Sequence, residues 1–127
     1  MRAGLCILGL MFAASALLSG CYGGKEIHAY RAQIAGSPQR GQTTIEQFRC
    51  GSCHIIPGIR NANGVVGPPL DEMSLRTYIA GEFQNDPQNM IHWVEAPTSM
   101  KPKTDMPDLG LTEQQATDVA AYLETLR

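Results

Sequence analysis

Apolar positions in this chain form one long run followed by several short stripes. Residues 3–19 are almost wholly apolar or small, and the pattern then breaks. Residues 21–40 mix glycines, Pro38 and polar side chains without a sustained period, which predicts a flexible connecting segment. Ile45 and Phe48 stand three apart, as on one face of a short helix over 43–49. Prolines and glycines dominate 55–70, so an irregular loop is expected there. Ser74 is a plausible N-cap for a helix through Ala80, with Gly81 as its stop. Asp86 and Pro87 open another helix, carrying Met90, Ile91, Trp93 and Val94 and ending before Pro97. The last helix is the clearest. Thr112 caps it, Gln115 completes a capping box, and Ala116, Val119, Ala120, Leu123 and Leu126 make its apolar stripe. No strand alternation stands out, so the fold class is all-α with long loops.

Length and composition narrow this picture. At 127 residues there is room for one domain. Hydrophobic residues make up 43% of the chain but aromatics only 6%, and part of the apolar content lies in the first run. The core left for the domain is small, and a large apolar cofactor would help it stay folded. With 10 basic and 12 acidic side chains the net charge is −2. No basic run stands out, which argues against nucleic acid as a partner.

The chemistry concentrates in Cys50-Gly51-Ser52-Cys53-His54. Cys-x-x-Cys-His is the signal for covalent haem attachment: each thiol can add to one haem vinyl group, and the adjacent imidazole is then tethered beside the iron. Two other readings compete. A zinc site would use four ligands, usually with a second pair at similar spacing, yet His28 and His92 stand alone. A redox dithiol normally sits at a strand-to-helix turn, and nothing near Cys50 reads as one. One covalent haem c is the expected cofactor.

The first run then reads as a targeting signal. Arg2 supplies its positive start, and the run falls short of the roughly 20 residues a membrane-spanning helix needs. Leu18-Ser19-Gly20-Cys21 resembles a bacterial lipobox, in which the cysteine is lipidated and becomes the new N-terminus; the alternatives are an ordinary secretory cleavage site or a short transmembrane anchor that contains a cysteine. Residues 1–20 would be removed and residues 21–40 would tether the domain, spanning about 25 Å as a flexible coil. The cysteines are then all used: Cys6 leaves with the signal, Cys21 carries lipid, and Cys50 and Cys53 take haem. None remains for a disulfide. Export and covalent haem both point outside the cytoplasm, to a lipoprotein facing the periplasm or the outer side of the cell membrane.

Over residues 41–127 the chain resembles a class I (mitochondrial-type) cytochrome c domain. Besides Cys50 to His54, the resemblance rests on G-P-P-L at Gly67 to Leu70, W-V-E-A-P at Trp93 to Pro97, K-T-D-M-P at Lys103 to Pro107 and A-Y-L at Ala121 to Leu123. It implies four to five helices around one haem, with the first and last helices crossing. Ile45 and Phe48 would pack against Tyr122 and Leu123, and Gly41 would ease the crossing. Residue chemistry alone leaves Met100 and Met106 as distal iron ligands, since Met73 lies near the proline loop and Met90 on an apolar helix face. The resemblance selects Met106, opposite His54. It also implies that the Pro68 carbonyl accepts from the other nitrogen of His54, that Arg76 and Thr104 contact the haem propionates, and that Trp93 lines the pocket. For Arg76 and Thr104 a surface-capping role is the alternative. His92 should face solvent.

A haem held by His and Met has no vacant site for substrate, so the expected function is electron transfer and not catalysis. No Ser/His/Asp or paired-carboxylate arrangement suggests otherwise. By resemblance, the donor would be a quinol:cytochrome c reductase or a dehydrogenase, and the acceptor a terminal oxidase or reductase. The alternatives are a haem protein with a displaceable distal ligand, binding gas or catalysing a reaction, and a permanent subunit of an oxidase or dehydrogenase complex.

Overall fold

The computed structural model describes residues 34–127. The expected signal segment, the lipobox Cys21, His28 and most of the tether lie outside the described residues. Helix α1 spans Pro38–Gln47 and opens earlier than the apolar pattern indicates. Ser37 is its N-cap, its hydroxyl accepting from the Arg40 N–H at 3.3 Å, and Pro38 supplies a fixed φ at the first position. The pattern hid this turn because the buried face of α1 begins with Gly41 and Thr44, before Ile45. Residues 37–40 thus form the cap and first turn of α1.

Helix α1 ends at Phe48, and Arg49 turns the chain in the left-handed region with φ 57°. A single 3-10 turn, Cys50–Ser52, follows. The irregular stretch expected over 55–70 is present. It folds back on that turn, where Gly64 N–H donates to the Gly51 carbonyl at 3.1 Å and Leu70 N–H to the Ile55 carbonyl at 2.8 Å.

The helix expected from Ser74 to Ala80 does not form. In its place are one 3-10 turn, Met73–Leu75, and a small antiparallel hairpin of β1 (Tyr78–Ile79) and β2 (Phe83–Gln84), with Tyr78 opposite Gln84 and Ile79 opposite Phe83. Three features explain the difference. Ser74 does not cap a helix; its hydroxyl and its N–H both donate to the Leu126 carbonyl, at 2.9 and 3.1 Å. The buried Asn85 side chain donates to the carbonyls of Met73 and Arg76 at 2.7 and 2.9 Å. Ala80 and Gly81 then take left-handed φ values of 51° and 82°, which make a turn and break a helix.

The remaining helices follow their caps. Helix α2 (Pro87–Glu95) starts at Asp86, whose carboxylate accepts from the Asn89 N–H at 2.9 Å. A short α3 (Pro97–Met100) follows, then a loop, then α4 (Glu113–Leu123) behind its Thr112–Gln115 capping box. Helices α1 and α4 cross at Gly41, where a Cβ would collide with the Asp118 carbonyl oxygen and sit 3.0 Å from the Tyr122 Cβ. The core joins Ile45, Met90, Val94, Ala116, Val119, Ala120, Tyr122 and Leu123, with Ile34, Phe48 and Trp93 packed on it half-buried. Beside the crossing, Arg40 grips the Asp118 carboxylate with two bonds of 2.7 Å, and the Ser37 N–H adds a third of 2.7 Å. No helix among the described residues is long and apolar enough to cross a membrane.

Candidate cofactor site

A cavity of about 590 Å³ opens between these elements, within the range of small-molecule and cofactor sites. Its floor is the apolar core: Ile45, Met90, Val94, Val119 and Leu123. All eight cofactor-site residues named from sequence line it: Cys50, Cys53, His54, Pro68, Arg76, Trp93, Thr104 and Met106. They come from five stretches of chain, so the fold has converged them.

The tight chain reversal at Arg49 brings Cys50, Cys53 and His54 to one wall. The N–H groups of Cys53 and His54 both donate to the Cys50 carbonyl, at 3.2 and 3.1 Å. Small residues behind them allow the loop to close. A Cβ at Gly51 would strike Ala62, and one at Gly64 would strike the backbone of Ser52. Gly67 N–H donates to the Cys53 carbonyl at 2.8 Å, which carries the chain directly past the imidazole. There a Cβ at Gly67 would overlap the His54 ring. The next carbonyl, that of Pro68, lies 2.7 Å from His54 Nδ1. A carbonyl only accepts, so Nδ1 holds the proton and Nε2 keeps a free lone pair suited to a metal. Neither Cys50 nor Cys53 is engaged in a disulfide, and burial pushes the Cys50 thiol up, favouring its neutral form.

The other walls are less direct. Met106 is half-buried, and its N–H donates to Thr104 Oγ1 at 3.2 Å. Met73 and Met90 also line the cavity, but as buried parts of the core, whereas Met100 does not line it. Trp93 is half-buried and stacks at a tilt on Phe83, their rings 6.0 Å apart. The Arg76 Nη2 is engaged by the proline loop, donating to the carbonyls of Pro69 and Asp71 at 2.7 and 2.9 Å. Arg76 thus braces the strand of chain that presents Pro68. His92 is exposed outside the cavity, its Nε2 3.0 Å from Ser99 Oγ. Among the described residues no group of three or more His, Cys, Asp or Glu side chains converges.

Three further relationships escaped the sequence pattern. They are the Arg40–Asp118 pair, the Tyr122 hydroxyl donating to the Pro57 carbonyl at 2.8 Å, and Lys101 Nζ donating to the Ala80 carbonyl at 3.0 Å. Each joins residues distant in the chain and leaves no local signature.

The donors fit a haem c. Two thiols and an imidazole of fixed tautomer line the cavity, Met106 brings a thioether to the same cavity, and the lining is largely apolar. The class so defined is a small helical haem-binding domain. The chain matches the Cytochrome c family over residues 38–127 and belongs to that family, as a class I c-type cytochrome. Haem-based electron transfer is what that family implies. It is also similar to a cytochrome c oxidase subunit 2 of Alkalihalophilus pseudofirmus, with 29% identity over 89 residues. That match covers 69% of this chain and 25% of the relative, so the chain spans about a quarter of the relative's length.

Proposed function

We propose that this protein is a membrane-tethered monohaem cytochrome that carries single electrons between respiratory complexes. Cys50 and Cys53 would hold the haem through thioethers, and His54 and Met106 would supply the protein ligands to its iron. The observation that carries this reading is the 2.7 Å approach of His54 Nδ1 to the Pro68 carbonyl across the bare Cα of Gly67, which leaves the Nε2 lone pair of a cavity-lining imidazole available. Haem supplies the one-electron couple. The chain's own residues do the rest: His54 is held in one orientation, the apolar floor excludes water, and the Met106 thioether favours the ferrous state and raises the potential. With an imidazole from His54 and a thioether from Met106 both given to the iron, the chain would leave no open position for substrate, which supports a carrier and not an enzyme.

The lipobox ending at Cys21 supports an extracytoplasmic, lipid-anchored location, where a tether raises the effective concentration near membrane partners. A quinol:cytochrome c reductase or dehydrogenase would donate. The similarity to an oxidase subunit 2 supports a terminal oxidase as acceptor, and it favours one second reading: a permanent oxidase subunit in place of a free carrier. Purification in mild detergent separates these, since a subunit leaves the membrane with its other chains.

The primary test is spectroscopic. The wild type should show a Met-to-iron charge-transfer band and refuse carbon monoxide, and Met106→Ala should lose the band and bind the gas. Ready binding of carbon monoxide by the wild type at neutral pH would sink the six-coordinate reading. For the anchor, Cys21→Ser should release the protein from membranes.

A further inference from the structure

A thioether is a weak iron ligand, so the loop that presents it must be held if the position is to stay filled. Residues 101–110 lie between α3 and the capping box of α4 and contain no regular element. At the base of this loop, Thr98 donates its N–H to Asp108 Oδ1 at 3.0 Å and its hydroxyl to Oδ2. Inside it, Thr104 N–H donates to the Lys101 carbonyl at 3.0 Å, and the same threonine's hydroxyl receives the Met106 N–H. The Lys101 side chain, by contrast, leaves the loop. Its Nζ donates to the Ala80 carbonyl at 3.0 Å and lies 3.4 Å from Glu82 Oε1. Ala80 and Glu82 belong to the turn between β1 and β2. Lys101, Ala80 and Met106 all line the cavity, so the contact joins two of its walls across the chain.

We infer that Lys101 is a positioning residue for the distal iron ligand: by tying the Met106 loop to the hairpin turn, it sets how readily an outside ligand displaces Met106. The inference rests on the assignment of Met106 to iron proposed above. The carbonyl contact carries most of the effect, because Glu82 is more than half exposed and a solvated ion pair holds little. Opening the loop requires that bond to break, so its strength enters directly into the fraction of molecules whose distal position is vacant.

The test is titration of the ferric holoprotein with imidazole at neutral pH, well below thermal unfolding. Lys101→Met keeps the apolar stem and removes the ammonium. It should bind imidazole about tenfold tighter than the wild type. Lys101→Arg, which keeps a cationic donor, should stay within about twofold of the wild type. Met106→Ala should bind imidazole tightly, and adding Lys101→Met to it should change nothing further, because the loop then has no ligand to hold. A purely structural role would not give that dependence on Met106. Wild-type affinity in Lys101→Met, beside tight binding in Met106→Ala, overturns the role of Lys101 alone. Equal gains from Lys101→Met in both backgrounds overturn it too, since the ammonium then guards the cavity mouth in general. A Met106→Ala variant no tighter than the wild type overturns the ligand assignment itself. If Lys101→Met does not accumulate, Lys101→Gln is too short to bridge and replaces it with the same expected outcomes.

Discussion

His54 Nδ1 lies 2.7 Å from the carbonyl oxygen of Pro68, and the residue between the two walls, Gly67, has no room for even a methyl group beside the imidazole ring. The hydrogen bond and the missing side chain act together. One fixes the tautomer of His54, and the other lets the chain pass close enough to do so.

Gly67→Ala is therefore expected to push the His54 ring away from Pro68. Loss of such an outer hydrogen bond typically weakens metal binding by about 10- to 100-fold. The variant should carry less haem and show a weakened proximal ligand, read from haem content per protein and from the visible spectrum. Full loading with an unchanged spectrum would contradict the close approach.

Gly41 holds the crossing of α1 and α4 in the same way. A methyl group there meets the Asp118 carbonyl, which belongs to helix backbone and cannot move aside. Gly41→Ala should cost about 2–3 kcal/mol through overpacking, or about 10–20 °C of melting temperature in a domain of this size. Thermal unfolding followed by circular dichroism measures it.

Much of the architecture was legible because its signals are local. Asp86-Pro87 and Thr112 with Gln115 are caps whose partners lie within one turn, so α2 and α4 could be read directly. Cys50, Cys53 and His54 are nearly contiguous, and their spacing names the cofactor without any fold. Ser74 misled because its hydroxyl serves the Leu126 carbonyl, while Asn85 takes two carbonyls of the same stretch. Local sequence cannot report such competition. The start of α1 was missed for a related reason: glycine and threonine face the core where the pattern needs large apolar side chains. The tie between Lys101 and Ala80 had no signal at all, since a lysine in a polar loop looks solvated.

Acid should unfold the protein partly through Asp118. The Arg40 guanidinium beside it, helped by the Ser37 N–H, holds its carboxyl below the usual carboxylate range against an opposing cost of burial. A depressed folded value means that this group adds stability above its unfolded value of about 3.9 and that the contribution is lost as pH falls through the folded value. Asp118→Asn should then melt about 5–10 °C lower than wild type near neutral pH, and the gap should close in strong acid. Melting temperatures measured across that range check both the sign and the window.

Tyr122 reports on the same packing from the other side. Burial, with a smaller contribution from Glu46, raises its hydroxyl above the ordinary value, so the neutral form that donates to the Pro57 carbonyl is the one the fold keeps. A raised folded value adds stability that is complete below about pH 10 and is lost as pH rises toward the folded value. Tyr122→Phe should cost about 1 kcal/mol at neutral pH, the worth of one hydrogen bond. It should also remove part of the alkaline fall in stability.

Arg76 connects the loop brace to the iron site. Its Nη2 donates to the carbonyls of Pro69 and Asp71, one and three residues after the His54 partner Pro68. Lysine keeps the charge but not the rigid guanidinium plane that aims Nη2 at both carbonyls, so Arg76→Lys should weaken this pair of bonds. The cost to folding should be about 1 kcal/mol. If the brace steadies Pro68, the His54 Nδ1–H proton should also exchange with solvent faster in the variant, seen by NMR of the reduced holoprotein. Arg76→Lys with unchanged exchange but a shifted reduction potential would instead indicate that the guanidinium acts on the haem propionates, the other role that the sequence resemblance implies for it.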